Sequence, residues 1–498
     1  MTAKTKVALQ SEGVLILPFG PLLSIKHNLC LVRKMSSVSK PPVSVAVQKS
    51  SFYTFLVNLI CVPAICRFLG AFFANASERL DLDVEPVKFR KTFGKKNENN
   101  NEYPQSTVMR IHKPFHFCWV MLLDPKIGLG ESYMAGDWSV TPNPTEFLRL
   151  LIRAKKQTTN ARAERSGPRE KSLSTKLALV LLEALRGAVK VIYYAQHWLH
   201  ENTVIQSTKN IQAHYDLGND MFKLFLDKTM TYSCGIFEDS DVNMPVKGVD
   251  FDKLEEAQKR KIDTLLDQLE LGPDDHVLEI GCGWGAAAIR GVQRSGCKWT
   301  GITISREQLD WARGKVAEAG LESRINLEFQ DYRLVQGTFT RIVSIEMIEA
   351  VGEKFLPQYF QIINDRLTDN GIAAIQAIIC PDAYYDRYRS SSDFIKKYIF
   401  PGGHLPSLGA IEESVPPTLK PAKIASYAHH YSTTLQHWYW AWMDAEKKIE
   451  EFNYPSDFHR RWQFYFCLCA ALFSSEHIDV VQICFHKGGS AKSINLVN

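Results

Sequence analysis

The 498 residues contain no C-x-x-C pair and no regular cysteine spacing, and their eleven cysteines are odd in number. This excludes a disulfide-stapled scaffold and indicates reduced thiols in an intracellular compartment. Acidic residues are scarce at the amino end. Before Glu78 only Glu12 is acidic, against Lys4, Lys6, Lys26, Arg33, Lys34, Lys40, Lys49 and Arg67. That balance suits an organellar transit peptide or a flexible extension. There is no nucleic-acid-binding motif and no internal repeat, and no histidine has the spacing of a metal triad, so neither nucleic acid nor metal is expected. The net charge of +5 is compatible with visits to an anionic surface.

One long apolar run is present, Phe52 to Ala74, but Asn58, Pro63 and Arg67 interrupt it. It falls short of a clean spanning helix, and a span, a surface-lying anchor and ordinary packing all remain open. With 45% hydrophobic residues the chain can bury a large core, and we expect two domains after an extension covering 1–79. A small α+β domain is expected over 80–153, ending in a helical pattern from Pro144 to Arg153. A polar, basic linker is expected over 154–176, beside which phospholipid headgroups could rest.

From 177 onward an α/β rhythm develops. Phe251 to Leu271 is an amphipathic helix with Leu254, Ile262, Leu265, Leu266 and Leu269 on one face. Strands are expected at 276–280, 298–304, 325–329, 340–346 and 371–378, with helices at 285–294, 306–319 and 353–368. This alternation predicts a doubly wound, Rossmann-like sheet whose ligand lies at the carboxyl ends of the strands. At the end of the first strand, Val277-Leu278-Glu279-Ile280 breaks into Gly281-Cys282-Gly283-Trp284-Gly285. Alternate glycines let the backbone approach a ligand, beside the free N–H groups of the next helix. The G-x-G-x-G spacing differs from the dinucleotide fingerprint, and no acidic residue ends the next strand, so NAD is not the expected ligand.

Several further motifs stand in order: His214-Tyr215-Asp216, Thr231-Tyr232-Ser233-Cys234, Gly301-Ile302-Thr303-Ile304-Ser305, Asp331-Tyr332-Arg333 and Tyr398-Ile399-Phe400-Pro401-Gly402-Gly403. With the glycine turn and Gly128 to Trp138, they make the stretch from Phe115 to Lys487 resemble the cyclopropane-fatty-acyl-phospholipid synthases and mycolic acid cyclopropane synthases. The resemblance implies a class I S-adenosylmethionine-dependent methyltransferase fold. It implies methylene transfer to the cis double bond of an unsaturated phospholipid acyl chain, giving a cyclopropane. It also implies contact with a membrane surface from inside the cell, and leaves a homodimer open. Cofactor binding would fall to Tyr232, Ser233, Gly281, Gly283, Gly285, Thr303, Gln308, Asp331 and Tyr332, although Thr303 and Asp331 could equally be ordinary caps.

An alkene is a poor nucleophile, so a dry pocket must align it and protect a carbocation until a base removes a proton. In the family that base is thought to be bicarbonate, and the matching positions are Cys234, Glu349, Tyr398 and Cys469. Glu346 competes with Glu349, but its register matches a less constrained family position. Register likewise favours Cys469 over Cys467. Many bacterial members have histidine where this sequence has Gln376, which can hold hydrogen bonds but cannot shuttle a proton. The ring-rich segment His429 to Met443 could line an acyl pocket or simply pack as core. Two other activities stay open: methyl- or methylene-branch formation after a hydride shift, and small-amine N-methylation. A lipid- or cofactor-binding protein without turnover is a third reading.

Overall fold

Two sheets organise the chain. The computed structural model describes residues 51–94, 107–163, 186, 187, 191, 217–242, 244–488 and 495–497. His214-Tyr215-Asp216 and most of the expected linker lie outside them. The smaller sheet has the order β2-β1-β3-β4, formed by β1 (Leu80–Val84), β2 (Phe89–Phe93), β3 (Thr107–Ile111) and β4 (Trp138–Thr141). Helices α1 (Ser51–Phe73), α2 (Pro114–Leu123), α3 (Pro125–Met134) and α4 (Pro144–Ala163) accompany it.

Boundaries differ from expectation at both ends of this region. Helix α1 buries Val57, Cys61, Ile65, Leu69 and Phe73 in the same core as the small sheet, so 51–79 joins that unit rather than the extension. Its length and hydropathy would also let it cross a membrane. Helix α4 continues through the start of the expected linker to Ala163. Ala154 and Thr158 are buried there, and the Thr158 hydroxyl donates to the Phe72 carbonyl at 2.6 Å. Packing against α1 therefore extends a helix that the polar composition alone would have ended.

The larger sheet follows α5 (Phe251–Leu269), which starts on an Asp250 cap and buries Leu254, Lys261, Ile262, Leu265 and Leu269. Its strands are β5 (His276–Ile280), β6 (Lys298–Thr303), β7 (Ile325–Phe329), β8 (Phe339–Ile345), β9 (Leu367–Ile379), β10 (Leu419–Ser426), β11 (Asp479–Lys487) and β12 (Asn495–Val497). They lie in the order β12-β10-β11-β9-β8-β5-β6-β7. Strands β5 to β9 are parallel, while β11 runs antiparallel to β9 and β10.

Between them run α6 (Ala286–Ser295), α7 (Arg306–Glu318) and α8 (Leu356–Arg366). This is the doubly wound class I methyltransferase sheet the sequence predicts. Helix α8 starts after a 3₁₀ turn at Glu353–Phe355 and ends at Arg366, and strand β9 follows it directly from Leu367, earlier than the periodicity indicated. Helices α9 (Asp382–Arg389), α10 (Phe394–Tyr398), α11 (Ala428–Asp444) and α12 (Phe458–Ser474) cover the carboxyl ends of the strands. One apolar core runs from Phe117, Tyr133 and Trp138 of the small unit to Trp438, Phe464 and Phe466 of α11 and α12. The ring-rich segment is thus largely core, with Tyr431 and Leu435 reaching the cavity.

Candidate active site

Strand order reverses between β5 and β8, and the loops after these two strands line a cavity of about 1040 Å³. That is at the upper end of ordinary ligand pockets, which span roughly 300–1,000 Å³. One end of the lining contains Tyr232, Ser233, Gly281, Gly283, Thr303, Gln308, Asp331 and Tyr332, all expected cofactor residues. Gly285, also expected there, forms the amino-terminal cap of α6 with φ +89°. A Cβ on Gly283 would meet nothing within 4 Å, so the backbone there faces open space in which a ligand can approach. Thr303 Oγ1 donates to Gln308 Oε1 at 3.0 Å. Asp331 caps the turn after β7 and pairs with Arg333 at 2.6 Å. These residues suit an adenosyl group, with backbone at the glycine turn and polar side chains on neighbouring strand ends.

Deeper in the cavity the geometry departs from expectation. Glu346, at the carboxyl end of β8, has φ +49° and turns its carboxylate into a nest of donors. Oε1 accepts the Cys234 backbone N–H at 2.8 Å and the Gln376 side-chain amide at 2.7 Å. Oε2 accepts the Tyr431 phenol at 2.6 Å. Gln376 is a fixed donor, because its own oxygen accepts from Gln482 at 2.9 Å, and Gln482 in turn accepts from Gln268 at 3.0 Å. The backbone donor of Cys234, one of the positions expected at a bicarbonate, and the amide of Gln376, which stands at the family histidine, are therefore taken by a side chain of the protein itself. Bicarbonate does not fit this nest.

Glu349 lies beside Glu346, with Oε1 accepting the Ile378 N–H at 2.5 Å and Oε2 buried without a partner. Burial and the neighbouring Glu346 charge push its carboxyl up to about 8. Burial also raises Glu346, but three donors oppose it there, so the pair holds its negative charge on Glu346 and a proton on Glu349. Lys261 completes the cluster. It is buried, donates to Ser233 Oγ at 2.6 Å, and burial pushes it down to about 8 against the pull of Glu346 and other carboxylates.

Two other candidates are placed differently. Tyr398 does not reach the cavity; its hydroxyl donates to Glu131 of α3 at 2.6 Å and anchors α10 to the small unit. Cys469 does line the cavity, whereas Cys467 faces Thr145 of the small unit. The Cys469 thiol is held neutral by burial. As a neutral wall group it should tolerate replacement, and we expect Cys469→Ala to keep turnover within about tenfold of the parent, the cost of a modest packing change. A larger loss measured at saturating substrate would assign the thiol a chemical role.

The chain matches the family described as mycolic acid cyclopropane synthetase over residues 202–483. It is 35% identical over 393 residues to a tuberculostearic acid methyltransferase of Mycobacterium tuberculosis, covering 76% of this chain and 83% of that protein. The chain belongs to the mycolic acid cyclopropane synthetase family. The cyclopropane-fatty-acyl-phospholipid synthase of Escherichia coli K12 is 32% identical over 384 residues, covering 76% of this chain and 88% of its own. A solved mycolic acid cyclopropane synthase complexed with SAH and CTAB superimposes with a TM-score of 0.51 at 30% identity, covering 56% of this chain and 98% of that one. This member of the cyclopropane synthetase family is thus an S-adenosylmethionine-dependent methyltransferase acting on lipids.

Sequence reasoning missed Lys261, took Tyr431 only as one ring of the His429 to Met443 segment, and set Glu346 aside. Lys261 had a signal: it follows Leu254, Ala257 and Gln258 at helical spacing on the buried face of α5.

Proposed function

We propose that this protein transfers a methyl group from S-adenosylmethionine to the cis double bond of a phospholipid acyl chain, and that the product is a methylene-branched chain. The observation that carries the reading is the Glu346 carboxylate in its nest of three donors. Support also comes from the 35% identity to a tuberculostearic acid methyltransferase.

S-adenosylmethionine supplies an electrophilic methyl carbon at the glycine-turn end of the cavity. The alkene π pair forms the new C–C bond as the C–S bond breaks with its pair on sulfur, leaving a cation on the neighbouring acyl carbon. The apolar wall of Leu435, Tyr465, Leu468, Leu472 and Phe473 keeps water from this cation. A carbocation is so strong an acid that a weak base suffices, and position decides which product forms. Of about four lone-pair sites on a carboxylate, Glu346 has three engaged, and a side chain tethered at a strand end cannot follow the methyl group. A 1,2-hydride shift then precedes proton loss and moves the cation to the methylated carbon. Glu346 takes a proton from the added methyl group, and the freed C–H pair becomes the exocyclic double bond. Proton loss without the shift would close a cyclopropane.

Labelled S-adenosylmethionine, vesicles of unsaturated phospholipid, and acyl-chain mass spectrometry before and after mild hydrogenation test this. A labelled chain that takes up two hydrogens is expected. A labelled chain that resists hydrogenation would replace the branch by a ring, and absence of label would overturn acyl methylation.

Tyr431→Phe removes one donor to Glu346. A hydrogen bond to a charged group contributes roughly 1.5–3 kcal/mol, so turnover at neutral pH should fall about tenfold or more. The lost donor also favours the protonated acid, moving the acid limb of the pH–rate profile upward. An unchanged limb would remove Tyr431 from the site.

A further inference from the structure

The cavity lining changes character toward solvent. Its buried part holds Glu346, Glu349 and Tyr431, whereas its exposed part holds Lys126 at the start of α3, Lys155 and Lys156 on α4, and Arg387 on α9. None of these four cations is ion-paired among the described residues. Asp124 and Asp393, the carboxylates acting on Lys126, both accept backbone N–H groups as helix caps, Asp124 from Lys126 and Asp393 from Lys396. Burial lowers the hold of Lys126 and of His477 on their protons, and the cations gather closely enough to add to it, Arg387 and Lys155 at Lys126, and Lys155 and Lys126 at His477. Unpaired like charges converging from three separate helices raise the energy of the empty site, and a bound anion relieves it. Less exposed than these cations are Phe68 and Phe72 of α1 and Leu148, Leu151 and Ile152 of α4, an apolar throat in the lining of the same cavity as the acidic pair.

An anionic diester above an apolar channel is the outline of a phospholipid. We propose that Lys126, Lys155, Lys156 and Arg387 form the subsite for the phosphate of the lipid substrate, holding it at the mouth while one acyl chain passes through the throat. This rests on the acyl-methylation reading above. The guanidinium of Arg387 can bind two phosphate oxygens at once, while the lysines act as point charges that tolerate different headgroup alcohols. The subsite therefore selects for phosphate rather than for a particular headgroup. It also fixes how far along the chain methylation occurs, since the anchored phosphate sets the depth at which a carbon meets Glu346.

The test combines binding with turnover, using the full chain and the triple variant Lys126→Gln, Lys155→Gln, Arg387→Gln. Dihexanoyl phosphatidylglycerol below its micelle concentration is titrated calorimetrically into each protein, with and without inorganic phosphate. The variant is expected to bind the lipid about tenfold or more weakly with unchanged S-adenosylmethionine affinity, as loss of charged contacts to an anion implies. Inorganic phosphate should compete with the lipid in the parent protein. Equal lipid affinity in both proteins would overturn the subsite. So would an inorganic phosphate site that the lipid does not displace, which would identify a free anion as the ligand. In turnover, the variant should show a raised KM for oleoyl phosphatidylglycerol vesicles and an unchanged KM for methyl oleate in neutral detergent. Equal losses on both, or labelling of chains only on an acyl carrier protein, would also overturn it. Charge-dependent lipid binding without any labelled product would instead sink the methylation reading and leave the phosphate site standing.

Discussion

Replacing Glu346 with glutamine is expected to cut acyl-chain methylation by about 10²–10⁴-fold, the range lost with a positioned proton acceptor, while leaving cofactor affinity unchanged. The amide keeps the volume of the acid, its oxygen can still accept the Cys234 N–H and the Gln376 amide, and its NH₂ can donate to the Tyr431 phenol oxygen, but it cannot take up a proton as the carboxylate does. A second substitution separates the chemistry from the packing. Glu346 has φ +49°, a conformation that glycine adopts freely and other residues hold at a cost of about 1–3 kcal/mol. Glu346→Gly relieves that backbone cost but leaves three donors and Lys261 without their partner, so a lower unfolding midpoint is expected, partly restored by bicarbonate; it empties the nest while leaving its donors in place. Added bicarbonate can then occupy them. Turnover of Glu346→Gly should be low in bicarbonate-free buffer, rise with bicarbonate, and yield product that resists mild hydrogenation, because a small untethered base can reach the methyl group before hydride shifts. If bicarbonate changes neither rate nor product, the carboxylate is not standing in the place of that ion.

The legible parts of the sequence were those with a local signature. The strand-to-helix break at Gly281 to Gly285 and the alternation of apolar runs located the sheet and its cofactor end, since both depend on backbone geometry within a few residues. The acidic pair was harder. Glu346 and Glu349 lie three residues apart on one loop, and which of them meets Cys234, Gln376 and Tyr431 depends on a left-handed turn that composition does not announce. Tyr431 is 85 residues from Glu346 and comes near it only when α11 packs across the strand ends. Tyr398 misled for the converse reason. Its place in the family motif put it at the bicarbonate site, but Glu131 in the small unit takes its hydroxyl. The boundary of that unit was misjudged because α1 and α4 stabilise each other across a large sequence separation, through contacts such as Thr158 with Phe72.

Lys261→Met is expected to weaken the fold and the chemistry together, each with its own dependence on pH. The lysine is 1% exposed and its charge acts on Glu346, so removing it leaves the Glu346 charge uncompensated, a change that typically costs about 3–5 kcal/mol. The variant can escape part of that cost by protonating Glu346, which removes the base. Turnover at neutral pH should thus fall strongly and recover as the pH rises, whereas a purely structural loss would lower the rate equally at every pH. Stability adds an independent check. In the parent protein the folded state holds Lys261 at about 8, below its ordinary value of 10.5. Between those values the unfolded chain binds more protons than the native one, so this group's contribution is present above 10.5 and is lost as the pH falls through about 8. In the variant, a Glu346 carboxyl raised further in the folded state loses its contribution as the pH climbs. Both effects have the same sign when the two proteins are compared, and other titrating groups largely cancel. The gap in thermal unfolding midpoint between parent and Lys261→Met should therefore widen steadily from acid to alkaline pH, and a gap independent of pH would mean that Lys261 and Glu346 do not share their charge.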